Sequence, residues 1–221
     1  RNALTAQRVG VLPLGERCQA RYGAPYATIA RADLQSLLLQ AAQTLGVVPQ
    51  LGTAVVALHA DADRVEVHTN AYETLHTPLL VGADGLWSRV RAQVVPAGQD
   101  VAPRTTGHVA YRAMVRQADL PVALRSQVIT AWLGPRFHVV QYPVRGGEML
   151  NIVAIVQGTA IGSPQSWDHA ANAAELRAHL ANAQAPLLDL VHAITEWRLW
   201  PLYDRPPMAS AGEQAHGRIA L

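Results

Sequence analysis

Apolar residues recur at helical spacing between residues 31 and 45, and Gly46 follows as a stop signal, so this pattern predicts a helix. Its stripe of leucines and alanines is interpreted as part of a core. β-Branched runs at 53–60 and 63–69 enclose an Asp-Ala-Asp turn and predict a hairpin. The extended residues 73–81 lead to a Gly-Ala-Asp-Gly turn at 82–85, after which we expect a helix that opens with Ser88 and Arg89.

The second half of the chain has a different pattern of extended segments separated by turns. Strands are predicted at 108–115, 128–133, 137–144 and 148–156, and helices at 172–183 and 186–194. We expect an antiparallel sheet with one face available and the helices packed on the other. Residues 218–221 read as a strand that returns to the first part. The predicted fold class is mixed α/β (α+β), with a domain at 101–205 inserted between residues 1–100 and 206–221.

Composition narrows the class of protein. Hydrophobic residues make up 50% of the 221 residues and charged ones 15%, so a sizeable core can form. The net charge of +2 comes from interspersed acids and bases, which gives no case for nucleic acid. No apolar run reaches the length of a membrane span, so a soluble protein is expected. The single cysteine, Cys18, excludes an internal disulfide and leaves no zinc framework, which suits a reducing cytoplasm.

The Gly-Ala-Asp-Gly turn is the first candidate site. Gly82 and Gly85 let the backbone approach a ligand closely on either side of Asp84. The Asp84 carboxylate then lies between a strand's carboxyl end and a helix's amino end, where hydroxyls and phosphates are usually bound. The alternative is an ordinary strand-to-helix connection. Arg31 is a second candidate, because a cation in a helix's first turn opposes the macrodipole and needs a partner, either a ligand or a nearby carboxylate.

His138, Val140 and Tyr142 form the second constellation, because residues two apart on a strand share a face. Histidine can take a phenolic proton near neutral pH, and tyrosine can hydrogen-bond a carboxylate. The alternative is a sheet histidine on a wet face with a tyrosine that fills core. Arg112 is a candidate carboxylate clamp, although a solvated strand arginine is the commoner situation.

The segment Gly82-Ala-Asp-Gly-Leu-Trp-Ser-Arg-Val-Arg91 resembles the "DG" motif of the class A flavoprotein aromatic hydroxylases, single-component monooxygenases that use FAD and NAD(P)H. Segments 23–34 and 197–205 resemble the family's segment before the FAD-contacting helix and its strand leading back to the FAD domain. Segments 132–144 and 150–153 resemble the substrate-domain strands of its salicylate and 3-hydroxybenzoate hydroxylase branch. The resemblance implies a Rossmann-like FAD-binding domain with an inserted substrate domain. It also implies that Arg31, Val55, Gly82, Asp84 and Gly85 face FAD, although a lone valine such as Val55 is more often core. His138, Val140 and Tyr142 are implied to face the substrate, with His138 as the base.

Two family features are missing from the sequence, the GxGxxG unit that binds the FAD pyrophosphate and a later Gly-Asp motif beside the flavin. We therefore expect an internal fragment of a longer enzyme, inactive by itself. The implied reaction hydroxylates a small phenolic or hydroxybenzoate-like substrate with O2. Alternatives are hydroxylation of a heterocycle, such as a quinolone, pyridine or urate, and a catalytically silent flavin-binding or regulatory domain. NADH and NADPH are not distinguished, a homodimer is a candidate assembly, and no nucleic acid, membrane or metal is expected.

Overall fold

A computed structural model describes residues 1–96, 98–158, 169–170 and 172–221. The chain divides into two compact units. We call Arg1–Leu45 with Gly107–Leu202 the sheet unit, and Gly46–Thr106 with Tyr203–Leu221 the turn unit. The domain boundaries given from sequence, after residues 100 and 205, stay a prediction.

The helices and strands are as follows. The helices are α1 (Gly15–Tyr22), α2 (Arg31–Thr44), α3 (Arg91–Val94), α4 (Ala173–His179) and α5 (Ala185–His192). The strands are β1 (Val55–Ala60), β2 (Val65–Thr69), β3 (Thr74–Thr77), β4 (Leu80–Val81), β5 (Arg104–Arg116), β6 (Thr130–Leu133), β7 (Phe137–Val144), β8 (Met149–Gln157), β9 (His169–Ala170), β10 (Arg198–Asp204), β11 (Ala215–His216) and β12 (Ile219–Ala220).

A six-stranded sheet in the order β6-β7-β8-β5-β10-β9 forms the centre of the sheet unit. The pairs β6–β7, β7–β8, β8–β5 and β10–β9 are antiparallel, and the predicted strand 137–144 has the bounds of β7. Burial alternates along β7 and β8, as expected when one face of a sheet is covered. The covered face packs against α4 and α5. This core includes Val139, Leu150, Ile152, Leu176, Leu187 and Val191. An antiparallel sheet with helices on one face is confirmed.

Helix α2 starts at Arg31, close to the predicted bounds, but the interpretation of its leucine stripe as core is wrong. None of its residues is buried, and Leu37 and Leu38 are 56% and 62% exposed. Periodicity identifies an apolar face without identifying a partner that covers it. The helix is attached through its first turn, where Arg145 donates two hydrogen bonds to Asp33, at 2.9 and 2.7 Å.

The turn unit contains two three-stranded sheets, β1-β2-β3 and β11-β12-β4. The predicted hairpin is confirmed as β1 and β2, which pair antiparallel around Asp61. The return strand is confirmed as well, because β12 pairs parallel with β4. The small core of the unit consists of Val65, Val67, Val90, Val94 and Ile219. This packing fixes β4, and therefore the turn that follows it.

Candidate functional site

The turn at 82–85 depends on its two glycines for different reasons. A Cβ on Gly82 would lie 2.6 Å from both Cβ and Cγ1 of Val90, so this glycine permits close packing within the protein. Gly85 has a φ of 75°, a left-handed conformation that glycine adopts without a steric penalty. The explanation from sequence, close approach to a ligand, is therefore incomplete for Gly82. Its space is already occupied by Val90.

Asp84 is engaged with its own turn. Its Oδ2 accepts hydrogen bonds from the backbone N–H groups of Arg89, at 2.7 Å, and Val90, at 3.2 Å. Burial raises the pKa of Asp84, but hydrogen bonds from the Ser88 hydroxyl and from the two N–H groups outweigh it, so the pKa lies below its ordinary value. The helix expected to open at Ser88 instead begins at Arg91, after a 3-10 turn at Gly85–Trp87. The Asp84 carboxylate stabilises that delayed start.

An ion-pair network that sequence reasoning missed braces the same turn. Asp100 Oδ1 accepts from Arg91 Nε at 3.0 Å and from Arg205 Nη1 at 2.7 Å. Arg205 Nε also donates to the Leu86 carbonyl at 2.8 Å. In addition, the rings of Trp87 and Tyr203 meet edge to face at 5.3 Å. No local pattern reveals this network, because Asp100 and Arg205 are 105 positions apart.

A cavity of about 410 Å³ opens beside the turn. It is lined by three of the predicted cofactor residues, Val55, Gly82 and Asp84. Val55 also packs against the core of the turn unit, as the alternative interpretation expects, and its contact with FAD stays a prediction. Arg89 lines the cavity too, and within the described part of the chain its guanidinium has no hydrogen bond or ion pair. The cavity has room for part of a dinucleotide, and its cation and carboxylate suit phosphate and hydroxyl groups.

Arg31 lies in the sheet unit, exposed at the first residue of α2. The carboxylate two residues away, Asp33, is paired with Arg145, and this bond holds the pKa of Asp33 below its ordinary value. Among the described residues, none forms an ion pair or side-chain hydrogen bond with Arg31. The alternative expected from sequence, a nearby carboxylate partner, is therefore not seen in this part of the chain.

His138, Val140 and Tyr142 share the face of β7 opposite the helices, and all three are half-buried. His138 lines a cavity of about 260 Å³ together with His108, Arg136 and Ile155. Val140 and Tyr142 lie further along the same face, outside the lining of that cavity. Over the residues that the structure describes, the side chains of His138 and Tyr142 make no hydrogen bond. Both polar groups are therefore uncommitted within the described part of the chain.

Within residues 1–96, 98–158, 169–170 and 172–221, no group of three or more His, Cys, Asp and Glu side chains is arranged to hold a metal ion. None of the helices described is long and apolar enough to cross a membrane.

Comparison with known proteins adds the following. A family model described as "FAD binding domain" matches residues 9–206. The 3-hydroxybenzoate 6-hydroxylase 1 of Aquipseudomonas alcaligenes is 33% identical over 225 residues, which cover 100% of this chain and 54% of that protein. The 3-hydroxybenzoate 6-hydroxylase of Polaromonas naphthalenivorans is 34% identical over 226 residues, which cover 100% of this chain and 53% of that protein. The chain spans about half the length of the curated relatives it matches.

Among solved structures, a salicylate hydroxylase substrate complex superimposes with a TM-score of 0.71 at 29% identity. The match covers 86% of this chain and 49% of that one. Klebsiella pneumoniae HpxO complexed with FAD and uric acid gives a TM-score of 0.75 at 24% identity, over 93% and 50% of the two chains. This second likeness shows the fold alone.

Proposed function

The chain belongs to the FAD binding domain family, whose model matches most of its length, and on that premise we propose that it serves an FAD-dependent aromatic hydroxylase. The proposed enzyme is cytoplasmic, consumes NAD(P)H and O2, and hydroxylates a small phenolic or hydroxybenzoate-like ring. The observation that carries this proposal is the open face of the sheet, where His138 and Tyr142 lie without protein partners among the described residues. Two relatives named as 3-hydroxybenzoate 6-hydroxylases support the substrate class.

The cofactor contacts are proposed on the fit of the cavity beside the turn. Val55, Gly82 and Asp84 would line part of FAD, with Gly85 setting the shape of the turn. A contact of Arg31 with FAD is a separate proposal, supported by the absence of a protein partner for this exposed arginine among the described residues. When bound, FAD supplies the redox chemistry that activates O2. The protein supplies orientation, water exclusion and proton transfer. With these contacts alone, the 221-residue chain is expected to hold FAD weakly, and a sub-micromolar Kd in a titration would contradict this expectation.

The substrate contacts are proposed on the geometry of β7. Val140 supports the ring, and Tyr142 donates a hydrogen bond to the acidic group of the substrate. His138 either removes the phenolic proton or accepts a hydrogen bond from the phenolic hydroxyl. A phenolate is a better carbon nucleophile than a phenol, so a base at this position has a defined task. Because His138 is half-buried and uncommitted, its imidazole is available for that proton transfer.

The test is a substrate screen with the complete protein. We expect it to purify with bound FAD and to oxidise NAD(P)H faster in the presence of hydroxybenzoates, with one oxygen atom of O2 appearing in the product. Stimulation by pyridines, quinolones or urate but not by hydroxybenzoates would support the heterocycle alternative. A flavin-loaded protein that no aromatic compound stimulates would contradict the proposal and support a silent domain.

A further inference from the structure

The open face of the sheet carries a cation that the proposed substrate contacts do not use. The registers align β7, β8 and β5 so that Ala110, Ile155 and His138 form one row and Arg112, Val153 and Val140 the next. A third row contains Met114, Asn151 and Tyr142. Because directly paired residues project to the same side of a sheet, all three rows belong to the face that carries His138.

Arg112 occupies the middle row, between the rows of His138 and Tyr142. Two strand spacings, roughly 10 Å at the backbone, separate it from Val140. Val153 lies between Arg112 and Val140 in this row. The two valines form an apolar floor, with Arg112, His138 and Tyr142 around it. A flat ring resting on this floor would have polar groups within reach on both sides. The three rows contain no carboxylate, and Arg112 is the one residue in them that carries a full charge.

Arg112 is held in place without being neutralised. Its guanidinium carbon lies 4.9 Å from the ring centroid of Trp200 on β10, the neighbour of β5 on the side away from β8. This cation–π contact keeps the charge on the sheet, and an anionic substrate group would draw the side chain back towards β8. Within the described ranges no carboxylate pairs with it. Arg116 lies four residues further along the same face of β5 and differs in this respect, since Asp119 pairs with it at 3.1 Å. Arg104, at the start of the strand, is paired with Asp204. Of the three arginines of β5, only Arg112 has no carboxylate partner among the described residues and is available to an anion.

We propose that Arg112 is a specificity-determining residue that selects a substrate with an anionic group, a carboxylate on the aromatic ring, and shares this group with Tyr142. The inference rests on the proposed function and refines it. A tyrosine hydroxyl donates a hydrogen bond to a carboxylate and to a neutral amide alike, so Tyr142 by itself discriminates poorly between them. A guanidinium favours the carboxylate, because a charge-assisted hydrogen bond is about twice as strong as a neutral one.

The test measures equilibrium binding to the complete protein in the absence of NAD(P)H, with 3-hydroxybenzoate and its neutral counterpart 3-hydroxybenzamide as probes. Loss of a hydrogen bond to a charged group is expected to raise the Kd of the Arg112→Gln variant for the acid about 10- to 100-fold. Its Kd for the amide should stay within about twofold of the wild-type value. Arg112→Lys should recover part of the affinity for the acid, and Arg116→Gln is the matched control that should change neither Kd.

Sharing of one group by Arg112 and Tyr142 predicts that their effects are coupled. Combining Arg112→Gln with Tyr142→Phe should cost less affinity for the acid than the sum of the two single changes. Equal losses for acid and amide in Arg112→Gln, or no loss for either, would overturn the inference. Charge-selective loss in a protein that hydroxylates no benzoate would sustain the anion site and reject the proposed function. Normal hydroxylation of benzoates without a charge-selective loss in Arg112→Gln would sustain the proposed function and reject the anion site.

Discussion

The turn around Asp84 and the open face around His138 differ in how their polar groups are satisfied. At the turn, Asp84 accepts two backbone hydrogen bonds, and Asp100 pairs with two arginines. On the open face, His138 and Tyr142 have no side-chain hydrogen bond and Arg112 has no ion pair in the described part of the chain, where the Arg112 guanidinium lies over the Trp200 ring. A half-buried polar group left uncommitted by its own fold is a group available to a ligand.

The comparison teaches that the two regions will respond differently to substitution. Changes at the turn should alter stability first and ligand binding as a consequence, because its side chains hold the backbone. Changes to the polar groups of the open face should alter binding or chemistry and leave stability nearly intact, because these groups make no hydrogen bond or ion pair within the described part of the chain.

The largest effect is expected for His138→Ala in the complete protein. Removal of a general base costs 10²–10⁴-fold in typical enzymes, so coupled hydroxylation should fall by about that factor. Reduction of the flavin by NAD(P)H should continue, and its electrons should then reduce O2 to hydrogen peroxide, which a peroxidase-coupled assay measures. His192→Ala, which changes an exposed histidine on α5, is the control and should keep normal coupling. Normal coupling in His138→Ala as well would reject the role of His138.

Tyr142→Phe should weaken substrate binding by about 1.5–3 kcal/mol, since it removes one hydrogen bond to a charged partner. The free energy of unfolding should stay within about 0.5 kcal/mol, because the hydroxyl makes no protein hydrogen bond among the described residues. Isothermal titration with 3-hydroxybenzoate and urea denaturation measure the two quantities. If the free energy of unfolding falls by more than the free energy of binding, Tyr142 stabilises the fold, and the distinction between the turn and the open face is wrong for this residue.

Gly82→Ala should lower the free energy of unfolding by about 1–3 kcal/mol, because the added methyl group overlaps Val90 in a packed core. Gly10→Ala is the matched control, since no atom lies within 4 Å of its Cβ position and its φ is not positive. Urea denaturation of both variants provides the measurement. Equal stability of the two would show that the turn yields to the methyl group and that its packing is loose.

Asp84→Ala should lower the free energy of unfolding by about 0.5–1.5 kcal/mol, the usual net contribution of a hydrogen bond, because the carboxylate accepts from the N–H groups of Arg89 and Val90 just before α3. Asp84→Asn keeps an acceptor and removes the charge, so it should be closer to wild type in stability. In the complete protein, both variants should retain FAD less well, and their flavin should be reduced by NAD(P)H more slowly, if the charge contacts the cofactor. Normal FAD retention and reduction in Asp84→Asn would restrict Asp84 to holding the turn.

The smallest effect is a pH dependence at the turn. Because the folded state holds the pKa of Asp84 below its ordinary value of 3.8, it favours the ionised carboxylate. The contribution of the ionised Asp84 to the free energy of unfolding is fully present above about pH 4 and is lost as the pH falls through the lowered pKa of the folded state. Acid titrations of stability should therefore show a smaller loss below pH 4 for Asp84→Asn than for wild type. Superimposable curves would contradict the lowered pKa.

Features that rest on short-range pattern could be predicted from the sequence. The extended segment between the breaks at 134–135 and 146–147 predicted β7, and strand geometry placed His138, Val140 and Tyr142 on one face of it. Helical spacing located the start of α2 at Arg31. The Gly-Ala-Asp-Gly motif identified the turn that lines the larger cavity, since its residues are contiguous.

Only the tertiary structure decided what each of these features contacts. It showed that the leucines of α2 are exposed, that Val90 requires Gly82, and that Asp100 joins Arg91 to Arg205. It also brought Arg112, from a strand distant in sequence, onto the face of His138 through the shared partner β8. The physical reason is that periodicity reports the direction of a side chain, whereas partners depend on strand order and register, which involve residues far apart in the chain.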